Sequence, residues 1–125
     1  MKYHDYHLKG YSVSDFGNTI SLDLIFDYPN SPKVESRIIF SDVAAHNFIH
    51  TGGAIITDIL QTKLTEISKE LDDGLIEWAR KYGGLIHYDG DLETCKAKLD
   101  KDGYKAWTIC SAIGFSGLVI AKDVK

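Results

Sequence analysis

The first half of the chain alternates apolar and polar side chains in the manner of β-strands. Between residues 19 and 27 the even-numbered positions are apolar: Ile20, Leu22, Leu24 and Phe26. The odd-numbered positions are polar except for Ile25. Successive side chains of a strand point to opposite faces, so this alternation predicts a strand with one buried face.

An earlier strand is predicted at residues 6–14, where the apolar positions change parity at Gly10. The apolar residues before Gly10 are even-numbered and those after it are odd-numbered. One extra residue in a strand exchanges its two faces, so the change indicates a β-bulge, although irregular opening residues would give the same parity change. Asp-Phe-Gly-Asn at 15–18 then predicts a turn, because glycine and asparagine tolerate the positive φ of hairpin turns.

Three further strands are predicted after the prolines at positions 29 and 32. They cover residues 34–41, 43–50 and 54–60, and the sequence Thr-Gly-Gly at 51–53 is interpreted as the turn between the last two. Short connections without an intervening helix are typical of an antiparallel meander.

The apolar spacing changes to three or four residues near Thr62. One stripe of apolar side chains then runs along the sequence: Leu64, Ile67, Leu71, Leu75, Trp78 and Tyr82. This period predicts a helix over residues 62–82, with Thr62 as N-cap and the glycines at 83–84 as its end. Asp-Asp-Gly, ending at Gly74, indicates either a weak point in one helix or a boundary between two.

The last third of the chain is expected to contain a short strand at 85–88, a helical segment ended by Asp102-Gly103, and two strands. The strands cover 104–112 and 115–122 and are joined around Gly114 as a hairpin. The apolar run at 118–121 is typical of a strand covered on both faces. The predicted fold is therefore a single α+β domain, residues 1–125. It has a mainly antiparallel sheet of six or seven strands, with two or three helices inserted before a C-terminal hairpin.

Composition and charge narrow the class of protein. The chain has 125 residues, a formal net charge of −4 and no run of basic residues longer than two. Nucleic acid usually selects a basic face, so no nucleic-acid partner is expected. No apolar run approaches the roughly 20 residues that cross a bilayer, and the polar residues 1–7 do not resemble a secretory signal. We therefore expect a cytoplasmic protein with no membrane partner and two reduced thiols.

The histidines do not form a recognisable metal site. His46 and His50 lie on a predicted strand, where residues four apart are separated by about 13 Å. Ligands of one zinc ion lie about 2.0 to 2.3 Å from it, so these two rings cannot readily share a metal. His4 and His7 would point to opposite faces, and no Cys-x2-Cys pair completes either set. No metal and no cofactor is expected.

A candidate binding patch consists of His46, Phe48, His50 and Asp58. The first three share one face of a predicted strand, either as an exposed binding surface or as a half-buried face beneath a helix. Asp58 lies in an otherwise apolar strand, where a charge is costly unless it is paired or faces water. An acid beside a small-molecule site fits this pattern, and so does an acid on the solvent face of the sheet.

Catalytic motifs are missing from the sequence. Gly-Phe-Ser-Gly at 114–117 lacks the second glycine of a nucleophile elbow and precedes a strand instead of a helix. Cys95 falls on the apolar side of a predicted helix and Cys110 within a strand, so both are interpreted as small core residues. The missing motifs favour a protein that is not an enzyme, with an enzyme of a type that these motifs do not reveal as the alternative, and no catalytic residue is assigned.

The first 60 residues resemble a group of small bacterial β-rich proteins, the immunity proteins of polymorphic toxin systems. The resemblance rests on His4-Asp5 ahead of Leu8, the alternating strand at 19–27, and two later segments, Ile-Ile-Phe-Ser-Asp-Val at 38–43 and Ile-Ile-Thr-Asp-Ile at 55–59. It implies a binding protein that neutralises a toxin in bacterial cytoplasm. The resemblance carries over no catalytic residue.

Three functions follow as expectations. The first is a non-catalytic protein-binding module of immunity or regulatory type, whose acidic balance suits a basic partner such as a nuclease toxin. The second is a small-ligand-binding protein or an enzyme of undetected type that uses the His46, His50 and Asp58 region. The third is a homo-oligomer assembled through an unpaired sheet edge.

Overall fold

The computed structural model describes residues 3–67 and 92–125, together with positions 73 and 77, which are helical. The described strands are β1 (Tyr6–Ser14), β2 (Thr19–Phe26), β3 (Val34–Thr62) and β4 (Lys105–Val124). The other described elements are the helix α1 (Leu92–Lys101) and two single 3-10 turns, Asp15–Gly17 and Leu64–Glu66. The strands form one antiparallel sheet in the order β1-β2-β3-β4, which curls into a half-barrel.

The predicted sheet of six or seven strands with two or three helices is wrong, because the described residues form one sheet of four strands, and α1 is the one α-helix whose two ends are both described. The glycines at 52, 53 and 114 take positive φ values of 105°, 60° and 83°, as turns would require. However, β3 and β4 continue through them, and pairing resumes with Ile55 opposite Ile113. Positive φ suits a bulge as well as a hairpin turn. The five strands predicted around these glycines therefore merge into β3 and β4.

The predicted helix over residues 62–82 is contradicted at its start. Thr62 is the last residue of β3, and only one 3-10 turn follows before Ile67 returns to an extended conformation, with ψ at 140°. Farther along that predicted helix, positions 73 and 77 are helical. The other residues of the stretch, including the predicted break at Gly74, and the short strand at 85–88 lie outside the described residues. The helical segment near Cys95 is confirmed as α1, which ends before Gly103 in the left-handed conformation, with φ at 93°.

The hairpin of β1 and β2 agrees with the alternation of its sequence. Ile20, Leu22 and Leu24 are all at most 1% exposed. The register between the strands shifts between Leu8 and Gly10, which confirms the predicted bulge. Beyond the bulge Tyr11 lies opposite Leu22, so its side chain lies on the same concave face of the half-barrel as the buried leucine.

Apolar side chains cover both faces of the sheet. The concave face holds the larger cluster: Leu8, Ile20, Leu22, Leu24, Ile38, Phe40, Ala54, Ile56, Trp107, Ile109, Phe115, Val119 and Ala121. The convex face carries the second cluster, in which α1 packs on β4: Leu64, Ile67, Cys95, Leu99, Ala106, Leu118 and Ile120. Residues 118–121 alternate between the two clusters and are at most 1% exposed, which confirms the prediction of a strand covered on both faces.

The half-barrel leaves one side without strand pairing. β1 pairs with β3 only at its start, where Tyr6 lies opposite Ile56 and His7 opposite Ile55. β3 then bends at Gly53 and Gly52. Among the described residues, the ladder between β1 and β3 ends before this bend. None of the described helical segments has the length and apolar character needed to cross a membrane.

Candidate functional site

The open side of the half-barrel, which we call the seam, lies between residues 8–14 of β1 and residues 43–53 of β3. These two stretches run antiparallel and are tied at both ends. The pair of His7 with Ile55 ties one end, and a hydrogen bond from the Val43 amide to the Asn18 carbonyl, at 3.0 Å, ties the other. Between the ties each strand pairs on its other side only, β1 with β2 and β3 with β4, among the residues described. Two strand edges therefore face each other without a partner.

Aromatic side chains bridge the seam from within. The Tyr11 ring of β1 lies 5.1 Å from the Phe48 ring and 5.8 Å from the His50 ring, both of β3. The Phe115 ring of β4 lies 5.1 Å from Phe48, and His46 lies 5.3 Å from Phe48. Edge-to-face ring pairs contribute about 0.5 to 1.5 kcal/mol each beyond the area that they bury. Side-chain packing thus holds together what backbone pairing leaves open.

Gly117 gives these rings the space that they occupy. It lies opposite Phe48 on β4. A Cβ atom at this position would stand 2.6 Å from the Phe115 ring, closer than real Cβ atoms approach, and 3.0 Å from the Phe48 ring, tighter than most real Cβ contacts. The two rings lie over the backbone of Gly117 because it has no side chain.

The structure brings three of the four predicted patch residues together. His46, Phe48 and His50 lie on the concave face, whereas Asp58 lies beyond a register shift that separates it from Ile56. Ile59 packs on the concave cluster, so the preceding Asp58 side chain points to the opposite face. Its carboxylate accepts a hydrogen bond from the Ile59 amide at 2.8 Å. Asp58 is therefore separate from the two histidines.

His46 behaves as a neutral member of the ring cluster. Burial lowers the pKa of its imidazole below the ordinary value of 6.5. A lowered pKa keeps the ring uncharged near neutral pH, where it can pack against Phe48, with one ring nitrogen able to donate and the other able to accept a hydrogen bond.

Residues at the seam that sequence reasoning missed are Tyr11, Val13, Phe16 and Phe115. Val13 lies opposite Ile20 and is 46% exposed, because the open side leaves it uncovered. Phe16, at the tip of the β1–β2 turn, is fully exposed and takes φ 57°. The parity change at Gly10 was the available signal for Tyr11 and Val13, since it moves both side chains to the concave face.

Two carboxylates mark the end of the seam at the β1–β2 turn. Asp15 is in the turn and Asp42 immediately precedes Val43; both are exposed and both take φ 53°. The Asp15 carboxylate accepts a weak hydrogen bond from the side-chain amide of Asn18, at 3.5 Å. Within the described part of the chain no cationic side chain pairs with either carboxylate, so this end of the seam carries unneutralised negative charge.

Described residues line an apolar pocket that shares no residue with the seam and a charged groove that includes Lys9 and Gly10 of β1. The apolar pocket of about 420 Å³ opens at the end of the half-barrel and is lined by Ile38, Ile59, Trp107, Val124, Tyr3, Gln61 and Lys125. The charged groove of about 480 Å³ lies beside Gly10. Its charges are paired with one another, Lys9 with Glu35 at 3.3 Å and Arg37 with Asp23 at 2.7 Å, so the groove has little net charge to offer a ligand.

The described residues contain no group of three or more histidine, cysteine, aspartate or glutamate side chains placed to hold a metal ion. His4 and His7 do not converge. The His4 ring contacts the Thr57 carbonyl at 3.1 Å, and the His7 ring lies 5.3 Å from Tyr28. Cys95 is buried in the convex cluster, as predicted, and Cys110 is half-buried.

Comparison with known proteins gave no matching family model, no similar curated protein and no similar solved structure.

Proposed function

We propose that this protein is a non-catalytic binding module of immunity or regulatory type, which acts in bacterial cytoplasm and receives an extended segment of a basic partner protein along the seam. The observation that carries the proposal is the pair of facing strand edges, neither of which has a pairing partner among the described residues. An unpaired edge is a template for another strand, and main-chain hydrogen bonds to an added strand supply affinity.

The side chains along the seam suit a partner with apolar residues at alternate positions. Tyr11 is 38% exposed and Val13 is 46% exposed, both on the concave face. A strand added to the edge of β1 would place every second side chain on the concave face, beside Tyr11 and Val13 and next to the aromatic cluster. Aromatic residues are enriched where protein interfaces derive most of their energy.

Charge favours a basic partner. The formal net charge of the chain is −4. At the end of the seam, Asp15 and Asp42 form no ion pair with any described cationic side chain. Complementary charge speeds diffusional encounter, and this attraction weakens as the salt concentration rises. The resemblance to immunity proteins supports the same type of partner, a toxin with a basic surface.

The alternative of a small-ligand or enzyme site at His46, His50 and Asp58 has no observation in its favour. His46 is half-buried against Phe48, His50 is exposed at the edge of the ring cluster, and Asp58 points to the other face of β3.

The experiment compares two substitutions on opposite faces of the sheet. The probe is the purified product of the neighbouring gene. Val13→Lys places a charge in the seam, whereas Leu60→Lys changes an aliphatic residue of nearly the same exposure, 48% against 46%, outside the seam. Leu60 follows Ile59 of the concave cluster and therefore lies on the convex face. We expect Val13→Lys to weaken binding at least tenfold and Leu60→Lys less than twofold. Thermal melts of both variants establish that each is folded.

Equal effects of the two lysines, or no binding of the wild-type protein, would overturn the proposal. A homodimer that forms without partner and is lost only in Val13→Lys would also overturn it, because the seam would then bind a second copy. For a basic partner, the association rate should fall between 50 and 300 mM salt, a range over which the Debye length shrinks from about 14 to 6 Å. The double variant Asp15→Asn, Asp42→Asn should reduce that fall. An unchanged salt dependence would contradict the role of these carboxylates.

A further inference from the structure

The apolar pocket at the end of the half-barrel has the properties of a small-molecule site. Its volume of about 420 Å³ lies within the 300 to 1,000 Å³ that ligand pockets usually have. Mouths of β-barrels are among the places where such sites occur. None of the residues that line the pocket belongs to the seam, so a ligand here is independent of the proposed function.

The floor of the pocket is apolar. Ile38 is 3% exposed and Trp107 is 5% exposed, and both belong to the concave cluster. Trp107 packs edge-to-face on Phe40, with ring centroids 5.7 Å apart, so its indole is held in a fixed position. Ile59 and Val124 pack on the same cluster and form the walls. Water in contact with this lining gains few hydrogen bonds, so an apolar group would displace it favourably.

The rim carries polar groups on one side. Gln61 and Lys125 line the pocket and are both exposed, unlike the side chains at its floor. Within the described part of the chain the Lys125 ammonium makes no ion pair and the Gln61 amide makes no hydrogen bond through its side chain. A cation and an amide beside an apolar cavity are complementary to an anionic head on an apolar body.

We propose that this pocket binds a small amphipathic carboxylate, with its apolar part against Trp107 and Ile38 and its carboxylate beside Lys125. The ammonium is at the rim and in contact with water, so its contribution is that of an exposed ion pair. Such pairs are worth about 0.2 to 1 kcal/mol, which corresponds to a roughly 1.4- to fivefold change in affinity. Most of the affinity comes from the apolar part of the ligand.

The test uses three probes with the same ten-carbon chain: decanoate, decanol and decyltrimethylammonium. The chain has two tryptophans, Trp78 and Trp107, so the variant Trp78→Phe makes Trp107 the only indole reporter. We expect decanoate to change the Trp107 emission saturably, with one site per chain by calorimetry in the wild-type protein. Decanol should bind more weakly, and decyltrimethylammonium at least fivefold more weakly than decanoate.

Three variants locate the site. Ile59→Trp fills the pocket and should weaken all three probes at least tenfold. Lys125→Met should weaken decanoate roughly 1.4- to fivefold and leave decanol unchanged. Lys122→Met is the matched control, because this lysine lies three residues earlier, stands over the Tyr104 ring at 5.1 Å and does not line the pocket. It should change nothing.

Several results would overturn the inference. No saturable response to decanoate means that the pocket is not a ligand site, or that another segment of the chain fills it. Equal binding of the three probes, or equal effects of Lys125→Met and Lys122→Met, would exclude recognition of an anion. Normal decanoate binding by Ile59→Trp would place the ligand elsewhere. Partner binding at the seam is measured separately with Val13→Lys, so either proposal can fail without the other.

Discussion

Replacing Gly114 with alanine tests how closely β4 approaches β3 at the bend of the sheet. Gly114 has φ 83°, and an added Cβ would stand 2.5 Å from the Gly52 carbonyl oxygen and 3.1 Å from that of Gly53. Both obstacles are backbone atoms of the facing strand, so a methyl group cannot be accommodated by a side-chain rotation. The two strands would have to move apart at the bend.

Gly17→Ala is the matched control. Gly17 has nearly the same φ, 87°, but its added Cβ would meet nothing within 4 Å. The left-handed conformation costs an alanine roughly 1 to 2 kcal/mol, and the smaller conformational freedom of the unfolded chain offsets about 0.4 to 1 kcal/mol of that. We therefore expect Gly17→Ala to lower the free energy of unfolding by about 1 kcal/mol.

Gly114→Ala adds the steric term to the same backbone term. Forcing an extra methyl group into a packed site typically costs about 1 to 3 kcal/mol. The expected loss is therefore about 2 to 4 kcal/mol, measured by urea unfolding at 25 °C with far-ultraviolet circular dichroism. Equal losses in the two alanine variants would refute the reasoning, because they would mean that β3 and β4 do not meet at this bend.

Two further predictions concern titratable side chains. His46 has a lowered pKa, so as pH falls through 6.5 the unfolded chain takes up a proton that the folded protein does not, and the free energy of unfolding decreases. His46→Gln should reduce the difference between urea midpoints at pH 7.5 and pH 5.5; an unchanged difference contradicts the assignment. Burial raises the pKa of the Cys95 thiol, with a smaller opposing effect of Lys98. In Cys110→Ser the remaining thiol should therefore react much more slowly with a thiol reagent than Cys110 does in Cys95→Ser, and equal rates would contradict this.

Local sequence patterns predicted those strands and helices whose conformation depends mainly on residues close to them in the sequence. The alternation from 19 to 27, the parity change at Gly10 and the helix near Cys95 all agree with the structure. The apolar run at 118–121 was also informative, because a strand with apolar side chains on both of its faces must be covered on both faces.

The number of strands could not be predicted in this way. A glycine with positive φ either reverses the chain or bends it, and the choice depends on whether the neighbouring strand bends at the same level. Gly52 and Gly53 of β3 meet Gly114 of β4, so both strands bend together and their pairing continues. This coincidence joins distant parts of the sequence and leaves no local pattern.

The candidate site was predicted in part for the same reason. The shared face of His46, Phe48 and His50 follows from strand alternation. The position of Asp58 on the other face results from a bulge at which the sequence has no glycine or proline to indicate it. Tyr11 and Phe115 join the cluster from other strands, and the role of the whole surface stays a prediction.

The long ladder between β3 and β4 has a consequence for folding speed. Its pairs grow steadily more distant along the chain, from Thr62 with Ala106 at one end to Phe40 with Val124 at the other, which are nearly twice as far apart in sequence. Closing the shorter loop costs less entropy, so the two strands should zip from the Thr62 end towards the Phe40 end. The paired glycines lie partway along that route. We therefore expect slow refolding, with the kinetic barrier sensitive to residues on the Thr62 side of the bend and largely insensitive to those beyond it.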